Sequence, residues 1–385
     1  MRTNRLTGSI PTLAGLTNLS VFDVHANQLT GAIPSLAGLT NLTYLDASRN
    51  QLDSSISALA GLVNMATFNV GNNQLTGSIP ALTGLTNLKE FFADSNHLTG
   101  SIPELAGLSN LVSFTVDSNA LTGTIPSLAG LAKLVSFAAD SNQLTGTIPA
   151  LTGLTNLVAF DVGTNDLTGS IPALTGLTHL DFFAVTFNRL TGPIPSLNGL
   201  TELSLFAVNS NELSGPIPSI ANLADLGFFF VNFNHLTGPI PALDGLPDLR
   251  LFAAGNNQLS GPIPSLGHSG INFFDVRANR LSGTIPPLSN LENLQNFAVD
   301  HNQLTGDVPA IAPHLQTAAL CPNFLNSTPG PFDAGWNAAT GFTPWWSGPS
   351  GQETQCSSLY AANLLQNPDF DSGIAGWSFS GNCFQ

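Results

Sequence analysis

The feature that most constrains this chain is a phrase of 23 residues that repeats along most of its length. The stretch NQLTGSIPALTGLTNLKEFFADSN, from Asn73 to Asn96, shows the phrase between two of its asparagines. The asparagines stand at 4, 27, 50, 73, 96, 119, 142, 165, 188, 211, 234, 257, 279 and 302, so one residue is lost before Asn279. A period of this size predicts a stack of similar coils, each of which contacts only its neighbours.

Apolar residues recur at fixed places in the phrase. With the asparagine as position 0, leucine falls at 2, 9, 12 and 15, isoleucine at 6, phenylalanine at 18 and valine or alanine at 20. Positions 17 to 21 alternate outward and inward, which is typical of a short half-buried strand. Glycine at 4 and proline at 7 exclude a long helix afterwards. Each repeat is therefore predicted to be one coil with a strand, a turn at the asparagine and an extended return path.

Two columns of side chains are predicted to be structural. Phenylalanine fills position 18 in 12 of 13 coils, from Phe22 to Phe297 with Leu45 as the exception, and predicts an aromatic spine in the core. The asparagine amides are expected to bond the backbone of their own and adjacent coils, each bond contributing about 1 kcal/mol. This structural ladder comprises Asn27, Asn50, Asn73, Asn96, Asn119, Asn142, Asn165, Asn188, Asn211, Asn234 and Asn257.

The repeat resembles a leucine-rich repeat. The stretch LTNLVAFDVGTNDLTGSIP matches the pattern LxxLxxLxLxxNxLxGxIP, with phenylalanine in one leucine place. The LTGxIP words are similar to the plant-type subclass of receptor-kinase ectodomains and polygalacturonase inhibitors. The repeat is one residue shorter than is usual there, and the paired-cysteine caps are absent, which is closer to secreted bacterial members. The resemblance implies a β-rich solenoid, a right-handed curved stack of about 13 coils with a parallel sheet on the concave side, used to bind partners.

Composition narrows the function further. The net charge of −15 argues against nucleic acid and against an anionic membrane surface as partners. No run of 18 apolar residues occurs, so no membrane insertion is expected. The seven histidines are scattered, and no phosphate loop or nucleophile motif appears. The sequence therefore predicts no enzyme, no cofactor and no metal.

The residues at core positions barely change between repeats, whereas those at outward-facing strand positions vary freely. Such variable surface positions can determine binding specificity. Position 17 is apolar in five successive coils, and further phenylalanines lie beside it. Exposed apolar patches commonly mark partner sites, although packing at the rim of the stack is an alternative, and aromatic rings bind sugars as readily as proteins. The candidate binding residues are Phe182, Phe187, Leu205, Phe228, Phe230, Phe233, Leu251 and Phe273.

A second group of candidate binding residues is acidic. Asp94, Asp117 and Asp140 share one column, and Glu90 lies on the strand of Asp94. Adjacent carboxylates at about 4.8 Å repel by roughly 0.9 kcal/mol in bulk water. A solvated face, a basic protein partner and a calcium ion are the three interpretations. A calcium site needs six to eight converging oxygens, which a straight column does not supply.

A third array lies on the return path, where threonine or serine stands at position 3 and often at position 5. If that path is regular, the hydroxyls form two parallel rows similar to an ice-binding surface. The same letters also belong to the LTGxIP word itself. Proline replaces the second hydroxyl at 193, 216, 239 and 262.

The period ends near Ala310, and the remainder is rich in Pro, Gly and Trp. The predicted organisation is a solenoid over 1–311 that lacks an N-terminal cap, a capping segment over 312–358, and the start of a truncated β-sandwich domain over 359–385. Cys321 and Cys356 are candidates for a disulfide, which leaves Cys383 over.

The expected function is a secreted or cell-surface scaffold that recognises a protein partner through the concave face, and a basic protein is one option for that partner. A polysaccharide-binding adhesin that takes a glycan and an ice-binding protein are the alternatives.

Overall fold

The computed structural model of the chain describes residues 3–267, 270–326 and 329–346. The first strands are β1 (Thr7–Ser9), β2 (Val21–Asp23), β3 (Gln28–Gly31), β4 (Tyr44–Asp46), β5 (Gln51–Leu52), β6 (Thr67–Asn69), β7 (Glu90–Phe92), β8 (Ser113–Thr115), β9 (Thr122–Thr124), β10 (Ser136–Ala138), β11 (Gln143–Thr145), β12 (Ala159–Asp161), β13 (Thr168–Gly169) and β14 (Phe182–Ala184). The others are β15 (Arg189–Gly192), β16 (Leu205–Ala207), β17 (Glu212–Pro216), β18 (Phe228–Phe230), β19 (His235–Gly238), β20 (Leu251–Ala253), β21 (Gln258–Gly261), β22 (Phe273–Asp275), β23 (Arg280–Gly283), β24 (Asn296–Ala298), β25 (Gln303–Gly306), β26 (Thr317–Ala319) and β27 (Phe324–Leu325), followed by the helix α1 (Asp333–Thr340).

The chain divides into two compact units. The N-terminal unit is Met1–Ala207 with Asn211–Leu213 and Pro218–Leu226, and the C-terminal unit is Val208–Ser210 with Ser214–Ile217 and Gly227–Gln385.

Strands at positions 17 to 19 of the repeat pair in parallel with the equivalent strands of neighbouring coils. In the N-terminal unit they are β2, β4, β6, β7, β8, β10, β12, β14 and β16, and in the C-terminal unit they are β18, β20, β22, β24 and β26. The pairing joins equivalent residues, as in Phe91 with Phe114 and Phe229 with Phe252. The parallel β-solenoid predicted from the period is confirmed. The described residues hold 14 such strands, one more than the 13 coils predicted, because β26 adds a coil after Asn302.

The phenylalanines at position 18 form a stacked spine inside each unit. From Phe68 to Phe206 in the N-terminal unit, the centroids of successive rings lie 5.2–5.8 Å apart. From Phe229 to Phe297 in the C-terminal unit, the separations are 5.5–5.8 Å. These separations suit offset-stacked rings. Since the rings are almost fully buried, the spine supplies much of the apolar burial of the coils from Phe68 to Phe206 and from Phe229 to Phe297.

The position-0 asparagines tie each coil to the preceding one. Asn96 is typical: its Oδ1 accepts a hydrogen bond from the Leu75 N–H at 2.9 Å. Its Nδ2 donates to the carbonyls of Val70, Ala93 and Asp94 at 3.1, 3.2 and 3.0 Å. The period does not predict the rung at Asn323, which stands 21 residues after Asn302 and accepts from the Leu304 N–H at 2.9 Å.

A second asparagine ladder, at position 14, is not predicted by the sequence analysis. Each Nδ2 donates to the carbonyl of the residue 24 places earlier, at 2.7–2.9 Å. Its members are Asn41, Asn64, Asn87, Asn110 and Asn156, all exposed in the N-terminal unit. The signal that reveals it is the recurrence of asparagine in the LTNL words at the same period of 23.

The residue at position 22, just before the asparagine, is left-handed at each of the 14 turns from Thr3 to His301. Its φ lies between 48° and 57°, and it is never glycine. Serine, alanine, asparagine and threonine fill most of these places, and the larger side chains are Arg49, Phe187, Phe233 and His301. Left-handed backbone costs an ordinary residue roughly 1–2 kcal/mol, so every turn carries some strain.

The helix α1 covers the last coil of the C-terminal unit. The Trp336 ring lies buried, 6.4 Å from the Phe297 ring, and its Nε1 donates to the Pro309 carbonyl at 2.9 Å. A Cβ on Gly335 would lie 2.9 Å from the Ile311 side chain, so glycine permits this close approach. Regular strands continue to Leu325, beyond the boundary proposed at 311. Cys321 lies half-buried in this region. Cys356, Cys383 and the proposed sandwich segment 359–385 lie outside the described residues.

Candidate functional site

The candidate site lies on the side of the sheet that faces away from the phenylalanine spine. Positions 17, 19 and 21 of each coil point to this side, which we call the open face. All but two of the apolar and acidic residues nominated from the sequence fall on it; Phe187 and Phe233 are at position 22, at its edge. The open face differs between the two units, so each is described separately.

The open face of the C-terminal unit carries an aromatic surface, which we define as Phe228, Phe230, Phe233, Leu251 and Phe273. Phe228, Leu251 and Phe273 are register partners on β18, β20 and β22. Phe228 and Phe273 are half-buried, whereas Leu251 and Phe230 are 5% and 8% exposed. Phe233 is 44% exposed. The rings of Phe228, Phe273 and Phe233 therefore offer most of the accessible aromatic area, and Leu251 and Phe230 pack between neighbours.

The other nominated apolar residues lie in the N-terminal unit. Phe182 and Leu205 are register partners on β14 and β16. Phe182 and Phe187 are half-buried, while Leu205 is only 2% exposed. A partner could therefore reach the two rings but very little of Leu205.

Phe233 combines exposure with backbone strain. Its φ is 54°, a conformation that L-residues with bulky side chains adopt rarely. The ring gains little burial in return, because almost half of it faces solvent. Since position 22 has this backbone from Thr3 to His301, it is the exposed ring, and not the turn, that is particular to Phe233.

The acidic residues of the N-terminal unit are not a row of free carboxylates. Asp94 accepts from Asn72 Nδ2 at 2.8 Å, and Asp117 accepts from the Asp140 backbone N–H at 2.8 Å. Glu90 accepts from the Thr67 hydroxyl at 2.9 Å. Burial raises the pKa of Asp94 and of Asp140, and raises that of Asp117 well above its ordinary value with help from the charges of Asp161 and Asp140. These carboxylates are therefore half-buried and hydrogen-bonded rather than fully solvated.

Two carboxylates and a hydroxyl meet above Gly163, a convergence that the column spacing did not predict. A Cβ built on Gly163 would lie 2.9 Å from Thr186 Oγ1, 3.1 Å from Asp140 Oδ1 and 3.4 Å from Asp161 Oδ1. Burial, and then the charge of Asp140, raise the pKa of Asp161 to about 7. Only the absent side chain of Gly163 leaves room for these groups, so the glycine at position 21 is the signal that could have revealed the cluster.

A second polar group that the sequence analysis did not single out surrounds Tyr44. Its hydroxyl donates to Asp46 Oδ2 at 3.2 Å, and burial followed by the charges of Asp46 and Asp23 raises the pKa of Tyr44 to about 12. His25 Nδ1 lies 2.8 Å from Asp23 Oδ1. In the described residues no group of three or more His, Cys, Asp or Glu side chains has a geometry suited to a metal ion.

The hydroxyls of the return path lie in one connected row rather than in two parallel ones. The pairing places the position-5 residue of one coil beside the position-3 residue of the next, as in Ser78 with Thr99 and Thr124 with Thr145. The Thr145 hydroxyl donates to the Gly123 carbonyl at 3.2 Å. In the N-terminal unit this exposed row runs from Ser55 to Thr168.

These features agree with the comparison to known protein families. The family model of the leucine-rich repeat domain of the EGF-like domain-containing protein ComC matches residues 42–161. Together with the parallel solenoid, the asparagine ladder and the solved structures below, this match decides the family. The chain is a leucine-rich repeat protein.

Three solved structures show what this leucine-rich repeat protein is similar to. The Arabidopsis receptor kinase HAESA ectodomain, in complex with an extended IDA peptide hormone, is 29% identical over 89% of this chain with a TM-score of 0.81. A TDR receptor is 30% identical over 84% with a TM-score of 0.78, and PEPR1 with AtPEP1 is 31% identical over 84% with a TM-score of 0.75.

The chain spans 61%, 59% and 48% of those three proteins, respectively. Comparison with curated protein sequences gives no match. None of the helices in the described residues is long and apolar enough to cross a membrane.

Proposed function

We propose that the protein is an extracellular binding scaffold that recognises a protein or peptide partner through the open face of its sheet. This is the face that leucine-rich repeats place on their concave side. The observation that carries the proposal is Phe233, a ring held in a left-handed backbone and still 44% exposed beside Phe228. Aromatic side chains, phenylalanine included, are enriched in protein interfaces relative to the rest of the surface.

The structural relatives support a protein or peptide partner. HAESA and PEPR1, at 29% and 31% identity, were each crystallised with a ligand, an IDA peptide hormone in the first and AtPEP1 in the second. The acidic residues of the N-terminal unit have a supporting role in the proposal, because a negative surface attracts a basic partner and speeds association at low salt. A glycan partner is the competing outcome, since the same rings can stack on sugars.

The experiment is a screen of the wild-type protein on protein, peptide and glycan arrays, followed by affinity measurement for each hit. Phe228→Ala with Phe233→Ser should weaken binding at least tenfold, which corresponds to about 1.4 kcal/mol. The matched control is Val63→Ser, which removes an apolar side chain that is 49% exposed but lies off the open face. Equal affinities of the double variant and wild type would refute the proposed site.

The hydroxyl row of the N-terminal unit supports ice binding as a second candidate function. Hydroxyls repeated at the coil spacing, about 4.8 Å, can match the regular order of water at an ice surface. Growth of ice crystals in the presence of wild type and of Thr122→Lys with Thr145→Lys tests this candidate. Faceted crystals with wild type and round ones with the variant are expected, and round crystals with both would exclude it.

A further inference from the structure

Two buried side-chain oxygens in the described part of the chain have no hydrogen-bond partner, namely Asn232 Oδ1 and Asp300 Oδ1. Both residues occupy position 21 on the open face of the C-terminal unit. A buried acceptor without a donor costs roughly 1–3 kcal/mol, and more when it is charged. Two such acceptors in one column beside the aromatic surface indicate places where a bound partner supplies the donors.

Asp300 is the stronger of the two acceptors, because it is a carboxylate and only 7% of the residue is exposed. Its Oδ2 is 2.7 Å from His301 Nδ1, and this hydrogen bond raises the pKa of His301. The His301 side chain is 59% exposed, so it can swing away without disturbing the core. In the preceding coil, Arg277 is paired with Asp275 at 2.7 Å. A second donor for Asp300, preferably a cation, is what the cluster lacks.

Asn232 lies between Phe230 and the exposed ring of Phe233. Its backbone carbonyl accepts from the Ser210 N–H and from Asn234 Nδ2, at 3.0 and 3.3 Å. The side-chain Oδ1 takes part in neither bond. A neutral donor such as a peptide N–H suits this acceptor, because the amide oxygen carries no charge and Asn232 stands between two apolar rings in the sequence.

The two acceptors are three coils apart, because the column runs from Asn232 through Gly255 and Arg277 to Asp300. At about 4.8 Å per coil the separation is roughly 14 Å, which an extended segment of about four residues spans at ~3.3 Å per residue. Gly255, between the two acceptors, has no side chain, and the Asp275 and Arg277 side chains lie close to it. A Cβ on Gly255 would be 3.0 Å from Asp275 Oδ1 and 3.2 Å from Arg277 Cγ. A narrow extended segment fits this path better than a broad surface.

We propose that Asn232 and Asp300 determine the specificity of the open face. A peptide segment crossing the strands donates a backbone N–H to Asn232 and places a lysine, an arginine or an amino terminus on Asp300, and the His301 ring moves outward. This inference rests on the proposed function and adds the chemistry of the partner, a cationic group about four residues from the segment held by the aromatic surface.

The test uses an array of acetylated, amidated octapeptides, in which every lysine-containing member has a counterpart with acetyl-lysine. Wild type is expected to retain the lysine peptides at least tenfold better than their counterparts. Asp300→Asn should abolish that preference. His301→Ala, which removes the imidazole that competes for Asp300, should increase it several-fold. Asn232→Leu should weaken all retained peptides while the lysine preference persists.

The matched control is Asp248→Asn, which removes the same charge from an exposed position off the open face of the same unit. It should leave the preference unchanged, and thermal melting checks that every variant folds. Peptides retained by wild type without a lysine preference, or with a preference that survives in Asp300→Asn, would overturn this inference and leave the proposed function standing. Two results together would overturn both this inference and the proposed function. Wild type would retain no peptide, and the Phe228→Ala with Phe233→Ser variant would bind every other array hit as tightly as wild type.

Discussion

At position 21, the N-terminal unit carries Asp94, Asp117 and Asp140 in successive coils, whereas the C-terminal unit carries Asn232 and Gly255 beside phenylalanine rings, followed by Arg277 and Asp300. The backbone beneath is the same in both places. Asn96 in the first unit and Asn234 in the second donate to equivalent carbonyls, at 3.0–3.3 Å. Because the ladder and the spine hold the coils, the open face is free to change from acidic to aromatic. The two units therefore differ in the side chains of the open face and not in the scaffold beneath it.

The largest effect on stability is expected from removing a ladder asparagine, and it tests whether the scaffolds of the two units are equivalent. Asn96→Ala and Asn234→Ala each remove a buried amide and leave backbone groups unpaired. Each should lower the free energy of unfolding by about 3 kcal/mol. Urea denaturation of the two variants and wild type measures the loss. Losses that differ by more than about twofold between the units would break the comparison.

Asp161→Asn tests the acidic region next. The folded pKa of about 7 lies above the unfolded value, so the folded state binds more protons between about pH 4 and pH 7, and stability falls as pH rises through that window. Above pH 7 the ionised carboxylate should cost about 2 kcal/mol, allowing for partial solvent screening. The variant should therefore be more stable than wild type at pH 8, and its melting temperature should vary less with pH. Identical pH profiles would exclude this account.

A reciprocal exchange at position 22 should have a smaller effect. Phe233→Ser should raise the free energy of unfolding, and Ser95→Phe should lower it, each by about 1 kcal/mol, because a left-handed backbone disfavours bulky side chains. Thermal melts provide the measurement, with Ser118→Ala as a control that keeps a small residue. A destabilised Phe233→Ser variant would mean that the ring packs for stability, and the proposal that it serves binding would lose its support.

The smallest effect is expected at the second asparagine ladder, which belongs to the N-terminal unit. Asn156→Ala removes one exposed hydrogen bond, to the Ala132 carbonyl at 2.7 Å. The cost should be about 0.5 kcal/mol, since water can replace an exposed partner. The control, Asp248→Ala, changes the equivalent position in the C-terminal unit and should cost nothing measurable by urea denaturation.

The sequence predicts the scaffold well, because the stacking of the coils determines both the length of the repeat and the identity of its buried residues. Position 18 in the spine and position 0 in the ladder follow directly from the count, as Phe91 and Asn96 illustrate. The 23-residue spacing does not predict Asn323, because this asparagine stands two residues too early. The leucine at position 2 after it, Leu325, is the sequence signal that identifies it.

The candidate site is less predictable, because the direction of an outward side chain depends on its neighbours in adjacent coils. Leu205 and Leu251 share a column with Phe182 and Phe228, yet their neighbours cover them. Asp117 turns to a backbone N–H in the next coil instead of facing water. A column count gives the location of such residues but neither their burial nor their hydrogen bonds.

The residue lost before Asn279 leaves the ladder intact: the Leu259 N–H still donates to Asn279 Oδ1, at 2.8 Å across 20 residues instead of 21. The ladder hydrogen bond between these two coils therefore tolerates the loss of one residue from the loop that joins them. A coil that is one residue shorter than its neighbours can therefore join the stack through the same hydrogen bond.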